Sequence, residues 1–291
     1  MELKDLRYFT EVVSYGSFTK AAVNTFVSQP TLSKSIKKLE AELKVELFER
    51  STRKLVLTDA GEIVYQQAMK MISATNELTT LLDDLKNLPT GAIKIGIPPL
   101  IGTLFFPTIA LNFGKIYDEI SLELIELGAK RIEQLVDEGK VDVGIIVLPT
   151  NSDKFHIYPY IREDFMVYTS TNHPLAKKNI VKLEELKDEH FILFNREFAL
   201  HHLIIQQCKE AGFNPNIAYE SSQWDLIAEL VTAQLGITLL PKSIYKKMDQ
   251  KVIKAIPLHT PPIWELGIIA KKDRYQSYAV RTLIRFLTEQ P

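Results

Sequence analysis

Apolar side chains return along the amino-terminal part of the chain at intervals of three and four, the spacing that lines one face of an α-helix. Leu3, Leu6, Phe9, Val12 and Val13 mark a first helix that Gly16 ends, and Ser17 caps a short second helix running to about Thr25. In that second helix the small pair Ala21 and Ala22 lets another helix pack closely. Ser28 caps a third helix; Pro30 sits in its first turn, where a missing N–H costs nothing, and Leu32, Ile36, Leu39 and Leu43 form its inward stripe. The period then changes. FERSTRKLVLT alternates as a hairpin does, with Ser51 and Thr52 near the turn and Arg50, Arg53 and Lys54 around the tip. A long helix is predicted next, capped by Thr58 or Asp59, reaching about Asn87 and closed by Pro89 and Gly91. Val64, Met71, Leu78 and Leu85 repeat along it every seven residues, with Ala68, Thr75 and Leu82 four further on. A seam of that kind, on a helix about 40 Å long, is more than so small a module covers, so pairing with a second copy is the simplest solution. Packing of the helix on its own chain is the alternative.

Beyond Gly91 the pattern alternates. Residues 92–97, 121–127 and 141–148 read as strands, separated by helical stretches at 103–115 and 130–138, which predicts a mostly parallel sheet. Further β-like runs lie at 158–168, 191–194, 217–220, 236–240, 252–256 and 265–270, and a last helix at 278–289.

A length of 291 residues sets a prior of about two domains of ~100–200 residues. With 46% hydrophobic and 24% charged residues, the chain has the makings of real cores and is neither disordered nor collagenous. A net charge of −1 gives no sign of nucleic acid. Charge is uneven, however: between Ser28 and Lys54 seven lysines and arginines face four glutamates, which marks a basic amino-terminal module joined to a more acidic remainder. Cys208 stands alone, excluding an intrachain disulfide and a cysteine metal cluster and pointing to a reducing compartment. The amino terminus lacks the apolar core of a secretory signal, and no apolar run approaches the ~20 residues of a membrane span. A cytoplasmic location without membrane contact is the expectation.

Two short helices joined around Phe26 and Val27 fit a helix-turn-helix, whose second helix enters the major groove of duplex DNA. Gln29, Thr31 and Ser33 are then placed to read base edges, Lys34, Lys37 and Lys38 to meet phosphates, and the basic hairpin tip to lie along the backbone or minor groove. Ser17, Thr19, Ser28 and Pro30 complete the candidate DNA-contacting set with Arg50, Arg53 and Lys54. The bland alternative is a three-helix bundle with a solvated lysine face.

The stretch SFTKAAVNTFVSQPTLSKSIKKLEAELKVELFERSTRKLVLTDAG closely resembles the amino-terminal signature of the LysR-type transcriptional regulators. GAIKIGIPP, VDVGII, NHPLA and VTAQLGITLLP extend the resemblance over nearly the whole chain. It implies an α+β multidomain protein: a winged helix-turn-helix over 1–58, a dimerising linker helix over 59–88, and an α/β, periplasmic-binding-protein-like effector domain over 91–291. That domain would have two subdomains, about 91–163 with 267–291 and about 164–266, joined by crossovers near Glu163 and Leu266. The implied partners are an operator with an inverted repeat, a small-molecule effector, further copies of the chain up to a homotetramer, and RNA polymerase.

Ligands of open α/β sheets sit beyond the carboxyl ends of strands, where helix amino termini offer free N–H groups. The candidate effector loops are therefore 98–103, 128–130, 148–150, 195–201 and 221–224. They supply Pro99, Leu100, Ile101, Gly102, Thr103, Ala129, Leu148, Asn195, Arg196, Phe198, His201 and Gln223, and Ile145 of the strand that leads into 148–150 joins the candidate set. Backbone N–H groups near Leu100 to Thr103 and the polar Asn195, His201 and Gln223 favour a small carboxylate; Arg196 offers a bidentate clamp. Pro99 and Ala129 stand where many members of the family the chain resembles have a hydroxyl residue, which makes for a more apolar pocket; Gln234 is a further departure, standing where a glycine is common. No catalytic or cofactor chemistry emerges: His201 and His202 lack HExxH or other zinc-ligand spacing, Ser17 to Lys20 matches SxxK without its companion KTG, and no Walker loop or GxGxxG occurs. The expected function is a ligand-responsive regulator of transcription; the rival is a cytosolic small-molecule binding protein or enzyme that does not bind DNA.

Overall fold

The computed structural model describes residues 1–49, 55–84 and 91–289, and the chain divides into two compact units, Met1–Leu88 and Pro89–Pro291. In the first unit, α1 (Leu3–Tyr15) buries Leu6, Phe9 and Val12 and ends at Gly16, whose φ of 57° lets its N–H turn back to Val13 O. The left-handed backbone there favours a residue without a Cβ. Ser17 accepts the N–H of Lys20 to cap α2 (Phe18–Asn24), and the buried Ala21 and Ala22 admit close packing against α1 and α3. Helix α3 (Gln29–Leu43) starts at Ser28, whose hydroxyl accepts the N–H of Thr31, and it buries Leu32, Ile36 and Leu39 while Leu43 is half-buried. Phe48 and Leu57 then form an antiparallel bridge and Glu49 N–H donates to Val56 O, so the hairpin base is present; its tip, with Arg50, Arg53 and Lys54, lies outside the described residues.

The long helix, α4, spans Asp59–Asp84. Thr58 is its cap: the hydroxyl accepts from Gly61 N–H at 2.9 Å and donates to Glu46 O at 2.6 Å, so one side chain both starts the helix and ties it to the hairpin. The sequence-predicted seam divides in two. Ala68 is buried, and with Val64 and Tyr65 it packs on the core around Phe9 in the same chain. Met71, Leu78 and Leu82, at 45, 58 and 55% exposure, have no such cover, and Leu85 lies outside the described residues.

The second unit follows the predicted alternation with two corrections, in the sense of strand pairing and in the start of its first helix. β1 (Gly91–Ile97) pairs in parallel with β2 (Ile120–Glu126) and β3 (Val143–Val147), and β5 (His190–Phe194) with β6 (Asn216–Ser221). The largest sheet is mixed, however, because β4 (Phe155–Ser170) and β9 (Ile263–Lys271) run antiparallel to each other, and β9 runs antiparallel to β3. A chain that enters and leaves a second subdomain must cross twice in opposite senses, and local periodicity does not record that. Beyond Asp164, β4 leaves β9 and pairs instead with β7 (Thr238–Pro241) and β8 (Ile253–Pro257). The outgoing crossover therefore runs past Glu163, and β9 carries the chain back through Trp264 and Glu265 toward Leu266. Helix α5 (Pro99–Ile116) begins four residues earlier than expected: the run 98–103 is a Pro-started first turn of helix, not a loop. Though long and apolar, α5 sends Leu100, Ile101, Ile109 and Phe113 into the core of this unit. Helices α6 (Ala129–Asp137), α7 (Ala199–Glu210), α8 (Trp224–Thr232) and α9 (Tyr278–Glu289) complete the layers, and α9 returns to pack on β1 and α5.

Gly61 sets the seat of α4, since a Cβ there would stand 2.1 Å from Leu47 O, a backbone atom that cannot step aside. Gly61→Ala is expected to cost about 1–3 kcal/mol of stability through overpacking, read as a lowered midpoint in thermal unfolding.

Candidate nucleic-acid interface and ligand cleft

The exposed face of α3 is built by its own buried stripe: with Leu32, Ile36 and Leu39 inward, Gln29, Pro30, Thr31, Lys34 and Lys37 point outward. Ser28 and Thr31 are linked through their hydroxyls at 2.8 Å, which fixes both at the amino end of the helix. Ser33 is half-buried, and Ser17 and Thr19 lie at the start of α2, where Ser17 is engaged as a cap. The turn before α3 is tight. Phe26 takes the left-handed φ of 54° and Val27 N–H donates to Ala22 O, so the two helices are rigidly joined.

The three lysines of α3 are not equivalent. Lys34 and Lys37 are exposed and form no ion pair with any described residue, whereas Lys38 Nζ lies 2.5 Å from Glu2 and 3.3 Å from Asp5. Asp5 is only 6% exposed, and its other carboxylate oxygen accepts from the Ser35 hydroxyl at 2.5 Å. Burial pushes the Asp5 carboxyl upward, but the Ser35 hydroxyl and the Lys38 ammonium outweigh it and hold the group below the usual aspartate value. Sequence reasoning missed Glu2 and Asp5 because a contact between two helices leaves no trace in the periodicity of either.

In the second unit, Leu100 and Ile101 are buried and Ile145 is fully so; what these positions offer a cleft is backbone, not side chain. Gly102 N–H already donates to Pro98 O, and Pro99 has no N–H, which leaves those of Leu100 and Ile101 as the donors of the first turn of α5. Thr103, Ala129 and Leu148 are half-exposed. Across the crossovers, Asn195 accepts from Glu197 N–H, Gln223 N–H donates to Ser221, and Phe198 stacks on Phe194 with centroids 5.1 Å apart. Arg196 is 81% exposed, with its Nε 3.9 Å from Glu220, so it is a solvated side chain rather than a fixed clamp. His201 is buried, and its Nδ1 is 2.8 Å from Phe194 O and 3.7 Å from Glu220, so it ties α7 to the ends of β5 and β6.

The crossover strands carry groups that the sequence reading did not single out. Glu163 accepts from both the N–H and the hydroxyl of Ser243, at 3.0 and 2.6 Å, and burial pushes its carboxyl above the usual range. Phe105 of α5 packs edge-on against Tyr160 of β4 and 6.2 Å from Trp264 of β9, linking α5 to both crossover strands. Burial lifts the Tyr160 phenol to about 12. No group of His, Cys, Asp and Glu suited to a metal ion occurs among the described residues.

Because His201 holds a buried carbonyl, His201→Ala is expected to cost about 1–3 kcal/mol, measured by urea unfolding, while Arg196→Ala leaves stability unchanged.

Known proteins share this arrangement. Residues 3–62 match the family described as bacterial regulatory helix-turn-helix protein, lysR family, and residues 86–291 match the LysR substrate binding domain. The uncharacterized HTH-type transcriptional regulator YwbI of Bacillus subtilis (strain 168) is 45% identical over 282 residues, covering 97% of this chain and 94% of the relative. The transcriptional dual regulator GltC of the same strain is 32% identical over 294 residues, covering 99 and 97%. Among solved structures, a full-length single-residue variant of OxyR from Pseudomonas aeruginosa superposes with a TM-score of 0.78 at 28% identity, covering 99% of this chain and 94% of that one. A helix-turn-helix followed by a substrate-binding domain, matched end to end by regulators, identifies the chain as a member of the LysR family of DNA-binding transcriptional regulators, not an enzyme.

Proposed function

We propose that this regulator binds an inverted-repeat operator as a homodimer joined along α4, further assembled into a homotetramer, and that a small organic acid in the cleft of residues 91–291 controls it. The observation that carries the DNA part is the outward face of α3, where Gln29 and Thr31 stand at a capped amino end beside the exposed Lys34 and Lys37, which pair with no described residue. Polar groups at that end read base edges, and the lysines neutralise phosphates. Pairing through α4 is supported by the exposed Met71, Leu78 and Leu82, a hydrophobic row on a helix that its own module covers only as far as Ala68. Two chains so joined present two recognition helices, as two half-sites require.

For the effector, the free N–H groups of Leu100 and Ile101 favour an anion, and the apolar Pro99, Ala129, Leu148 and Phe198 favour a small body behind it. Binding shifts the subdomains between arrangements only by as much as the ligand prefers one of them. The site of action is the cytoplasm, and RNA polymerase is the partner through which occupancy of the operator changes transcription.

The test is a salt-dependent gel shift of the full chain with a duplex selected from a random pool. Affinity is expected to fall steeply with salt, and Lys34→Ala is expected to reduce the slope of log K against log salt by about one; no preference for any duplex over bulk DNA at moderate salt would end the reading. Leu78→Asp is expected to yield monomers or weakened dimers in sedimentation, and a fully dimeric variant would exclude α4 as the seam. A panel of small organic acids should contain at least one that raises the thermal midpoint of the full chain, by about 2.7 kcal/mol of stabilisation at a hundredfold excess over Kd.

A further inference from the structure

Of the three lysines on the outer side of α3, one is already spoken for. Lys38 neutralises Asp5, a carboxylate buried between α1 and α3, and Asp5 also receives the hydroxyl of Ser35 from the same helix. Glu2 takes a second share of the ammonium. A DNA phosphate that drew Lys38 away would leave the buried carboxylate charged with no lysine against it, and an uncompensated buried charge is among the costliest things a fold can hold. Lys34 and Lys37 carry no such obligation toward any described residue. Ser35 and Lys38 lie one turn apart on α3, and Ser35 lies one turn beyond Thr31, so the carboxylate grips the recognition helix on the flank that leads directly to its base-facing end.

We infer that Asp5, Ser35 and Lys38 form a positioning cluster that sets the angle of α3 on α1 and thereby sequence discrimination, and that Lys38 is withheld from the phosphate backbone. The inference rests on the DNA-binding reading above. It separates two properties that a contact list would merge: Lys34 and Lys37 set the electrostatic strength of binding, and the cluster sets how well one duplex is told from another.

The test uses the full chain, a duplex selected by the unaltered protein, and an unselected duplex of the same length. Removing Lys38 alone strands the charge of Asp5, so the informative variant is Asp5→Asn with Lys38→Met, which removes both charges together and is far better tolerated. Expected is a salt slope equal to that of the unaltered protein, unchanged affinity for the unselected duplex, and a preference for the selected duplex reduced about fivefold or more. Lys37→Met should show the reverse, a slope lower by about one with the preference retained. A double variant whose slope falls by about one would overturn the inference, since Lys38 would then be a phosphate ligand. An undiminished preference would overturn it equally. Should the double variant fail to fold by circular dichroism, Ser35→Ala, which deletes one hydroxyl, decides the matter on the same two readouts. If the unaltered protein shows neither salt dependence nor preference, it is the DNA-binding reading that fails, not the role of the cluster.

Discussion

The second unit depends on one pairing: β4 against β9, antiparallel from Phe155 opposite Lys271 to Asp164 opposite Ile263. β9 also binds β3, and through it β1 and β2, while the far half of β4 binds β7 and β8. Every strand of the larger sheet is thus reached through these two. The two halves of the larger sheet are joined through a single pair of extended strands. Glu163 with Ser243 on one side, and Phe105 with Tyr160 and Trp264 on the other, grip the junction where β4 changes partners. The effector proposed for the first turn of α5 would bind on the helix that carries Phe105, whose ring contacts both crossover strands.

The amino-terminal unit was the more legible in sequence, for a physical reason. Its helices are short, their caps are single residues with one preferred chemistry, and Gly16, Ser17, Ser28 and Pro30 each act within a turn of where they stand. In the second unit, strand positions are legible to within about three residues, but the sense of pairing is not, because β9 and β4 meet across a long intervening stretch of chain. The cleft residues proved hardest to read. The place beyond the carboxyl end of β1 reads as a loop at 98–103 where a helix begins, and Ile145, in the middle of β3, belongs to the core. His201, attractive as a polar donor, is occupied with Phe194. Position in a loop says where a backbone goes, not which way a side chain faces.

Charge shows the same divide at finer grain. A whole-chain balance of −1 hides the basic stretch between Ser28 and Lys54, and that surplus in turn hides a distinction among lysines. Counting cations overstates what is available to a polyanion whenever one of them is needed to neutralise a carboxylate inside the fold, as Lys38 is for Asp5.

Thr58 touches both sides of a joint, capping α4 through Gly61 while bonded to Glu46 of the hairpin base, and Gly61 rests directly on Leu47 O. There is no slack at that point. In the proposed pair of chains joined along α4, a change in the angle at which the two helices cross would therefore reach α3 through this joint, as the opening of calipers is carried to their tips. In the proposed dimer, the separation of half-sites spanned would follow that crossing angle and would be adjustable through Met71, Leu78 and Leu82, which are set apart from the residues proposed to meet DNA.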